Sequence, residues 1–375
     1  MAPLTNPKPV IPVARPVLPS ADALLPYLHK IDQSGWYSNF GPLISEFEAR
    51  LAQMMGPNCN VVAATNATQI LTLTLQAMQL HPGGLCAMPA WTFVATPQAA
   101  VQAGLTPWFL DVDPDTWMLD PDKTLKALEH APGTVSAVIL VAAHGRMPNL
   151  EAWCRFREMT GIPVLLDAAA AFDTAKASSI PTVVSLHATK VLGIGEGGFL
   201  VTEDRETSTR LKQLTTFGFL GSRQAKIIAT NAKLSEYAGA VGMAGLDAWP
   251  LNRKNWIDSA QLYLSAIASN PVIKFQPGWG DAWISSVCIV EVPYDSTQEI
   301  TKYLVQNGIE TRHWWGTGCH DEPAFLNCPR MELPVTQHLA KSTIGLPFWM
   351  GIDIHAIMRI KGLISQVLNR RGYLN

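Results

Sequence analysis

The chain has 375 residues, 48% of them apolar and 15% charged, with a formal net charge of -2. A near-neutral chain without runs of like charge argues against a polyanionic partner such as nucleic acid and favours small-molecule ligands. Its length exceeds one compact core, and its apolar excess predicts surface buried between subunits.

The opening MAPLTNPKPVIPVARP is proline-rich and lacks the apolar centre of a secretory leader. No stretch reaches the ~18 uninterrupted apolar residues of a membrane helix. Cys59, Cys86, Cys154, Cys288, Cys319 and Cys328 are dispersed and form no C-x-x-C pair, so neither a zinc site nor a disulfide framework is expected. The expectation is a cytoplasmic protein with no membrane partner and no metal.

From residue 61 onward, short apolar runs alternate with amphipathic stretches, the mark of an α/β sheet. Strands are predicted at 61–64, 85–89, 106–110, 136–141, 163–167, 183–186 and 198–202. Several are uniformly apolar, as strands covered on both faces should be. Helical patterns fall at 68–79, 92–103, 124–130 and 150–160. After Asp247-Ala248-Trp249-Pro250 the pattern changes to a helix at 256–269, a strand-like run at 283–292 and a helix at 298–307. The expected organisation is a large unit over 1–249 and a smaller C-terminal α+β unit over 250–375.

Three segments carry chemistry. Ala64-Thr65-Asn66-Ala67-Thr68 closes a strand and opens a helix, where free backbone N–H groups suit a phosphate or receive ordinary capping. Pro163 to Asp167 is an apolar strand ending in a carboxylate, placed either to pair with a cationic ring nitrogen or to cap the next segment. In Ser185-Leu186-His187-Ala188-Thr189-Lys190, a lysine beyond a strand end can form an imine with an aldehyde and later shuttle protons. The following Gly193-Ile194-Gly195-Glu196-Gly197-Gly198 has the spacing of a dinucleotide loop, but it feeds a strand where such a loop must open a helix. Cys319-His320-Asp321-Glu322 is contiguous, so its side chains cannot all face one ion. His144 reads as a satisfied strand-end residue, and Trp314-Trp315 either line a pocket or cover core.

The ordered set resembles the sugar aminotransferases of the DegT/DnrJ/EryC1/StrS group, which have the aspartate-aminotransferase fold (fold type I). The residues that carry the likeness are Gly35-Trp36-Tyr37-Ser38-Asn39-Phe40-Gly41-Pro42, Pro89-Ala90-Trp91-Thr92-Phe93-Val94-Ala95-Thr96 and Asp111-Val112-Asp113-Pro114. With them stand the Asp167 strand, the Ser185 to Lys190 segment with Gly195-Glu196-Gly197-Gly198, Asn231-Ala232-Lys233-Leu234-Ser235-Glu236, and Gly308-Ile309-Glu310-Thr311-Arg312-His313. The resemblance implies a mainly parallel seven-stranded sheet with helices on both faces, a smaller C-terminal α+β domain, and pyridoxal 5'-phosphate as cofactor. Lys190 resembles the imine-forming lysine, Asp167 the partner of the pyridine nitrogen, and Trp91 the aromatic that stacks on the ring. Ser185, Asn66 and Ala67 match phosphate contacts, and Asn231 matches one supplied by the neighbouring subunit of a homodimer with shared sites. Arg312, His313, Tyr37 and His187 are the substrate candidates.

The implied reaction passes an amino group from an amino acid, by resemblance L-glutamate, to a nucleotide-linked 3-keto or 4-keto deoxysugar in two half-reactions. The alternatives are an aminocyclitol or other non-sugar ketone, a dehydratase, which would carry His at the position of Lys190, and a non-catalytic regulatory member. Two departures stand out. Ala170 replaces the Gln or His that usually follows the aspartate by three residues near the ring hydroxyl, and Asn66 stands where the family commonly has glycine, a residue that tolerates unusual backbone angles.

Overall fold

The computed structural model describes residues 11–267 and 270–374. The first ten residues of the proline-rich opening, and Ala268 and Ser269 at the end of the helix predicted over 256–269, lie outside the described residues. Helices α1 (Ala21–Ser34) and α2 (Pro42–Met55) precede an alternating series: β1 (Asn60–Ala64), α3 (Ala67–Ala77), β2 (Leu85–Pro89), α4 (Ala95–Gln102), β3 (Thr106–Leu110), α5 (Pro121–Leu128), β4 (Val135–Val141), α6 (Leu150–Thr160), β5 (Val164–Asp167), β6 (Thr182–Ser185), β7 (Gly198–Thr202) and α7 (Arg205–Leu214). The seven strands form one sheet in the order β1-β7-β6-β5-β4-β2-β3. Strand β7 runs antiparallel to both its neighbours, and the other pairings are parallel.

The apolar runs predict this sheet because a strand buried on both faces needs no polar side. Successive residues enter two separate cores: Val138 and Leu140 of β4 join the cluster containing Phe47 and Trp153, whereas Ala137 and Ile139 join the one containing Ile70 and Leu73. That is the two-residue period of a strand. Helices therefore cover both faces.

Helix α8 (Glu236–Ile267) is a single helix of 32 residues with Pro250 inside it. It begins 20 residues before the predicted start at 256. A proline removes one backbone donor and crowds the preceding turn, which normally ends a helix. Here both sides of Pro250 are anchored: Gly239, Met243 and Leu246 are buried before it, and Trp256, Ala260 and Tyr263 after it. Beyond α8, β8 (Lys274–Phe275), β9 (Cys288–Glu291), α9 (Thr297–Gln306), α10 (Pro334–Ser342), β10 (Thr343–Leu346) and α11 (Ile354–Arg370) build a three-stranded antiparallel sheet, ordered β10-β9-β8, with its helices. The hydrophobic cluster that contains Phe47 also takes in Trp249, Tyr263 and Ile364.

Two of the sequence segments meet at the start of α2. Glu236 is buried and its carboxylate accepts the N–H groups of Leu43 at 2.8 Å and Ile44 at 3.1 Å, capping the helix. A Cβ on Gly41 would lie 2.6 Å from the Glu236 carboxyl carbon, so this position admits only glycine without rearrangement. Asp111 caps α10 in the same way, accepting from the backbone of Val335 and Thr336, both at 2.8 Å.

Candidate active site

Parallel strands β4, β5 and β6 end side by side, and in an open α/β sheet that edge is where ligands bind. The strand period places Asp167 on the same face as Leu165, the face covered by α3 and α4. There its Oδ2 accepts a 2.8 Å hydrogen bond from Thr96 Oγ1, and its Oδ1 accepts the Ala169 N–H at 3.1 Å. Thr96 in turn exchanges a 2.8 Å bond with Thr92 Oγ1, so two buried hydroxyls one helical turn apart back the carboxylate. Burial pushes the Asp167 pKa up, while Thr96, the Ala169 N–H and the charge of Lys190 pull the other way.

Lys190 follows β6 on a loop that returns as β7. Leu186 N–H donates to Gly197 O at 2.9 Å, Ala188 N–H to Gly195 O at 2.8 Å and Ile194 N–H to Leu186 O at 2.8 Å, closing the loop on itself. A Cβ on Gly193 would sit 2.8 Å from Ala188 O, which explains one of the glycines. The glycine run ends in β7 and opens no helix. Burial holds the Lys190 amine below the usual lysine range, opposed by the charge of Asp167. Lowering an amine's pKa raises its neutral, nucleophilic fraction.

Ser185 at the end of β6 is buried and pairs across the sheet with Gly198, which also pairs with Ala64. A Cβ on Gly198 would come within 2.7 Å of Ala67 N, so the N-terminus of α3 approaches this point only because glycine is there. Asn66 caps α3 through a 2.8 Å bond from Gln69 N–H to its Oδ1. That leaves the N–H groups of Ala67 and Thr68, which an α-helix cannot pair internally, beside Ser185. The concern over Asn66 is not met: its φ of -167° is extended backbone open to any residue.

An aromatic wall completes the cleft. Trp91, 3% exposed, meets Trp315 edge to face at 5.4 Å between centroids, and Trp315 stacks on His144 at 3.8 Å. Trp315 therefore lines this cleft, while the Arg312 guanidinium lies 4.9 Å from the Trp314 ring centre. Cys319 packs against the segment around Trp91, its N–H donating to Ala90 O at 2.9 Å and its thiol to Thr92 O at 3.1 Å. Trp91 Nε1, His144 Nε2 and Trp314 Nε1 are buried without hydrogen-bond partners among the described residues. His144 is thus not the satisfied strand-end residue the sequence suggests. The unpaired atoms of Trp91 and His144, both in ring contact with Trp315, fit a ligand that brings its own polar groups.

The segment that carries Asn231 is joined to the end of β1, where the Thr65 N–H donates to Ala232 O at 3.0 Å. Asn231 is exposed, bridges to Thr216, and its amide oxygen accepts from Lys233 Nζ. Tyr37 is exposed and stacks with Tyr237 at 6.3 Å, and His313 is exposed. His187 turns its ring to Thr189 Oγ1 at 2.8 Å and to Glu196 at 3.6 Å. Neither Thr96 nor the orphaned nitrogen of His144 has a local sequence signal that gives its surroundings, because each depends on contacts between distant segments.

A sequence model of the DegT/DnrJ/EryC1/StrS aminotransferase family matches residues 20–364. The structure is similar to that of a putative PLP-dependent aminotransferase from Bacillus cereus, at 30% identity and a TM-score of 0.90, covering 95% of this chain and 100% of that one. It is also similar to DesI, solved in the presence of its TDP-sugar product, at 33% identity and a TM-score of 0.85, covering 98% and 94%. The dTDP-4-amino-4,6-dideoxy-D-glucose transaminase of Escherichia coli is 26% identical over 94% of this chain and 98% of its own. With the match across nearly its full length, the chain belongs to the DegT/DnrJ/EryC1/StrS aminotransferase family and is a pyridoxal-phosphate-dependent aminotransferase.

Proposed function

We propose that the chain moves an amino group from an amino acid, L-glutamate by family resemblance, onto a nucleotide-linked 3-keto or 4-keto deoxysugar, as a homodimer with shared sites. The observation that carries the chemistry is that the buried carboxylate of Asp167 closes β5 while Lys190 follows its parallel neighbour β6, so both leave the same end of the sheet. The sugar part rests on the relatives, one solved with a TDP-sugar product and one named for a dTDP-sugar.

The bound cofactor supplies an aldehyde for the amino group and a cationic ring that withdraws electrons. Lys190 would hold the cofactor through its amine and, as a neutral amine, would serve as the base that moves the proton in the transfer. Asp167 keeps the ring nitrogen protonated, steadied by Thr96 and the Ala169 N–H. The N–H groups of Ala67 and Thr68, with Ser185, hold the phosphate, and Trp91 covers a ring face. Asn231 reaches the phosphate of the partner's site, which accounts for an amide exposed at the surface.

Borohydride reduction of the yellow protein followed by peptide mapping is expected to place the cofactor on Lys190, and an adduct elsewhere would refute the assignment. Incubation with L-glutamate should convert the bound cofactor's visible absorbance to that of its amine form. Amine transfer from the charged protein to nucleotide keto sugars completes the test. Transfer only to aminocyclitol ketones would sink the sugar reading.

A further inference from the structure

His144 is a titratable group at the cleft with no part in the chemistry above. It follows β4 with φ at +53°, in the left-handed region that non-glycine residues enter rarely, and Gly145 beside it lies at +116°. Its ring is 6% exposed, stacked on Trp315 with 19° between planes and met edge-on by Trp117 at 6.1 Å. Nε2 is buried with no partner among the described residues. Burial, aided by the charge of Lys190, pushes the imidazole pKa down to about 3, so the ring is neutral across the physiological range. A phenylalanine would stack on Trp315 as well and would leave no unpaired nitrogen. Packing therefore accounts for the ring but not for Nε2.

The neighbours of His144 indicate what the nitrogen serves. Strands β4 and β5 are parallel neighbours, with Val141 opposite Asp167, so the segments leaving them run side by side. Gly145 and Ala170 touch: a Cβ on Gly145 would lie 2.8 Å from the Ala170 carbonyl oxygen. Ala170 offers only a methyl group where the resembled family has Gln or His near the cofactor's ring hydroxyl. The residue after the orphan nitrogen thus packs on the backbone that carries the missing side chain.

We infer that His144 is a cofactor-binding residue of this site: as the Nε2–H tautomer it donates a hydrogen bond to the ring hydroxyl oxygen of pyridoxal phosphate, making the contact that Ala170 cannot. The inference rests on Lys190 as the attachment point. A donor on that oxygen draws negative charge away from the adjacent lysine nitrogen, so the nitrogen gives up its proton more readily.

The test is a pH titration of the bound cofactor's visible absorbance in four reconstituted proteins: unaltered, His144→Phe, His144→Gln, and His144→Phe with Ala170→Gln. His144→Phe is expected to raise the titration midpoint by about one pH unit and to weaken cofactor retention about tenfold. His144→Gln and the double variant, which restore a donor, should both return the midpoint toward the unaltered value. An unchanged midpoint in folded, cofactor-loaded His144→Phe would overturn the inference. NMR of isotope-labelled histidine in the unaltered protein gives an answer that no folding defect can obscure. The Nε2–H signal missing from His144→Gln should move downfield when pyridoxal phosphate is added, and its failure to respond would equally overturn the idea. Borohydride mapping of the same samples keeps the two questions apart. An adduct away from Lys190 defeats the attachment reading, whereas a Lys190 adduct with unmoved midpoints defeats only the role of His144.

Discussion

Asp167 and Asn231 are both polar residues assigned to one cofactor, yet they occupy opposite surroundings. Asp167 is 5% exposed at the tip of a central strand, and both its oxygens are engaged within the chain. Asn231 is exposed on an isolated bridge, with Lys233 as its side-chain hydrogen-bond partner. Removing a charge from water is costly unless it is paired, so a buried carboxylate reveals its partners in a single chain. An exposed amide loses little by waiting for a partner, and its surroundings alone do not disclose what meets it. The difference separates a half-site that one chain completes from contacts that a second chain would supply.

The largest effect expected is from the buried side. Asp167→Asn removes the charge that holds the ring nitrogen protonated and should lower kcat about 10³-fold in steady-state assays, with the cofactor still attached at Lys190. Asn231→Ala should act on retention, loosening the cofactor roughly tenfold or more by equilibrium dialysis, on the scale of a hydrogen bond to a charged group. Mixing Asn231→Ala with Lys190→Ala chains should then restore part of the activity, because one kind of mixed site is intact. Absence of recovery despite demonstrated subunit exchange would break the comparison by making Asn231 a surface residue only.

Thr96→Val sharpens the buried side further. Thr96 lowers the raised Asp167 pKa, so its loss should raise that pKa further. The carboxylate is then protonated at higher pH as the solution is acidified. The acid limb of the kcat/KM profile should therefore move to higher pH, and a profile unchanged from that of the unaltered protein would exclude Thr96 as a support of Asp167. The smallest effect is at Asn66, whose amide oxygen caps α3. Asn66→Ala should cost about 1 kcal/mol in chemical denaturation.

Much of this was legible without coordinates. Predicted strands at 85–89, 106–110 and 198–202 coincide with β2, β3 and β7, because an apolar run of that length is a local property of the chain. Lys190, Asp167 and Ser185 were also legible, each tied to a strand end. The start of α8 was not: proline's local preference at 250 lost to buried contacts on either side. The hydrogen bond from Thr96 to Asp167 joins residues 71 apart, and no periodicity announces it.

By itself the sequence determined the strand and helix alternation, the burial of the central strands on both faces, and the lysine and carboxylate at their ends. These follow from spacing and residue type, which act over a few residues. Only the tertiary structure decided that β5 lies between β4 and β6, that Thr92 and Thr96 stand behind Asp167, and that His144 carries a buried, unpaired nitrogen next to the Gly145–Ala170 contact. Those are contacts between segments distant in the chain, set by strand order and packing, and no short stretch of sequence contains both partners.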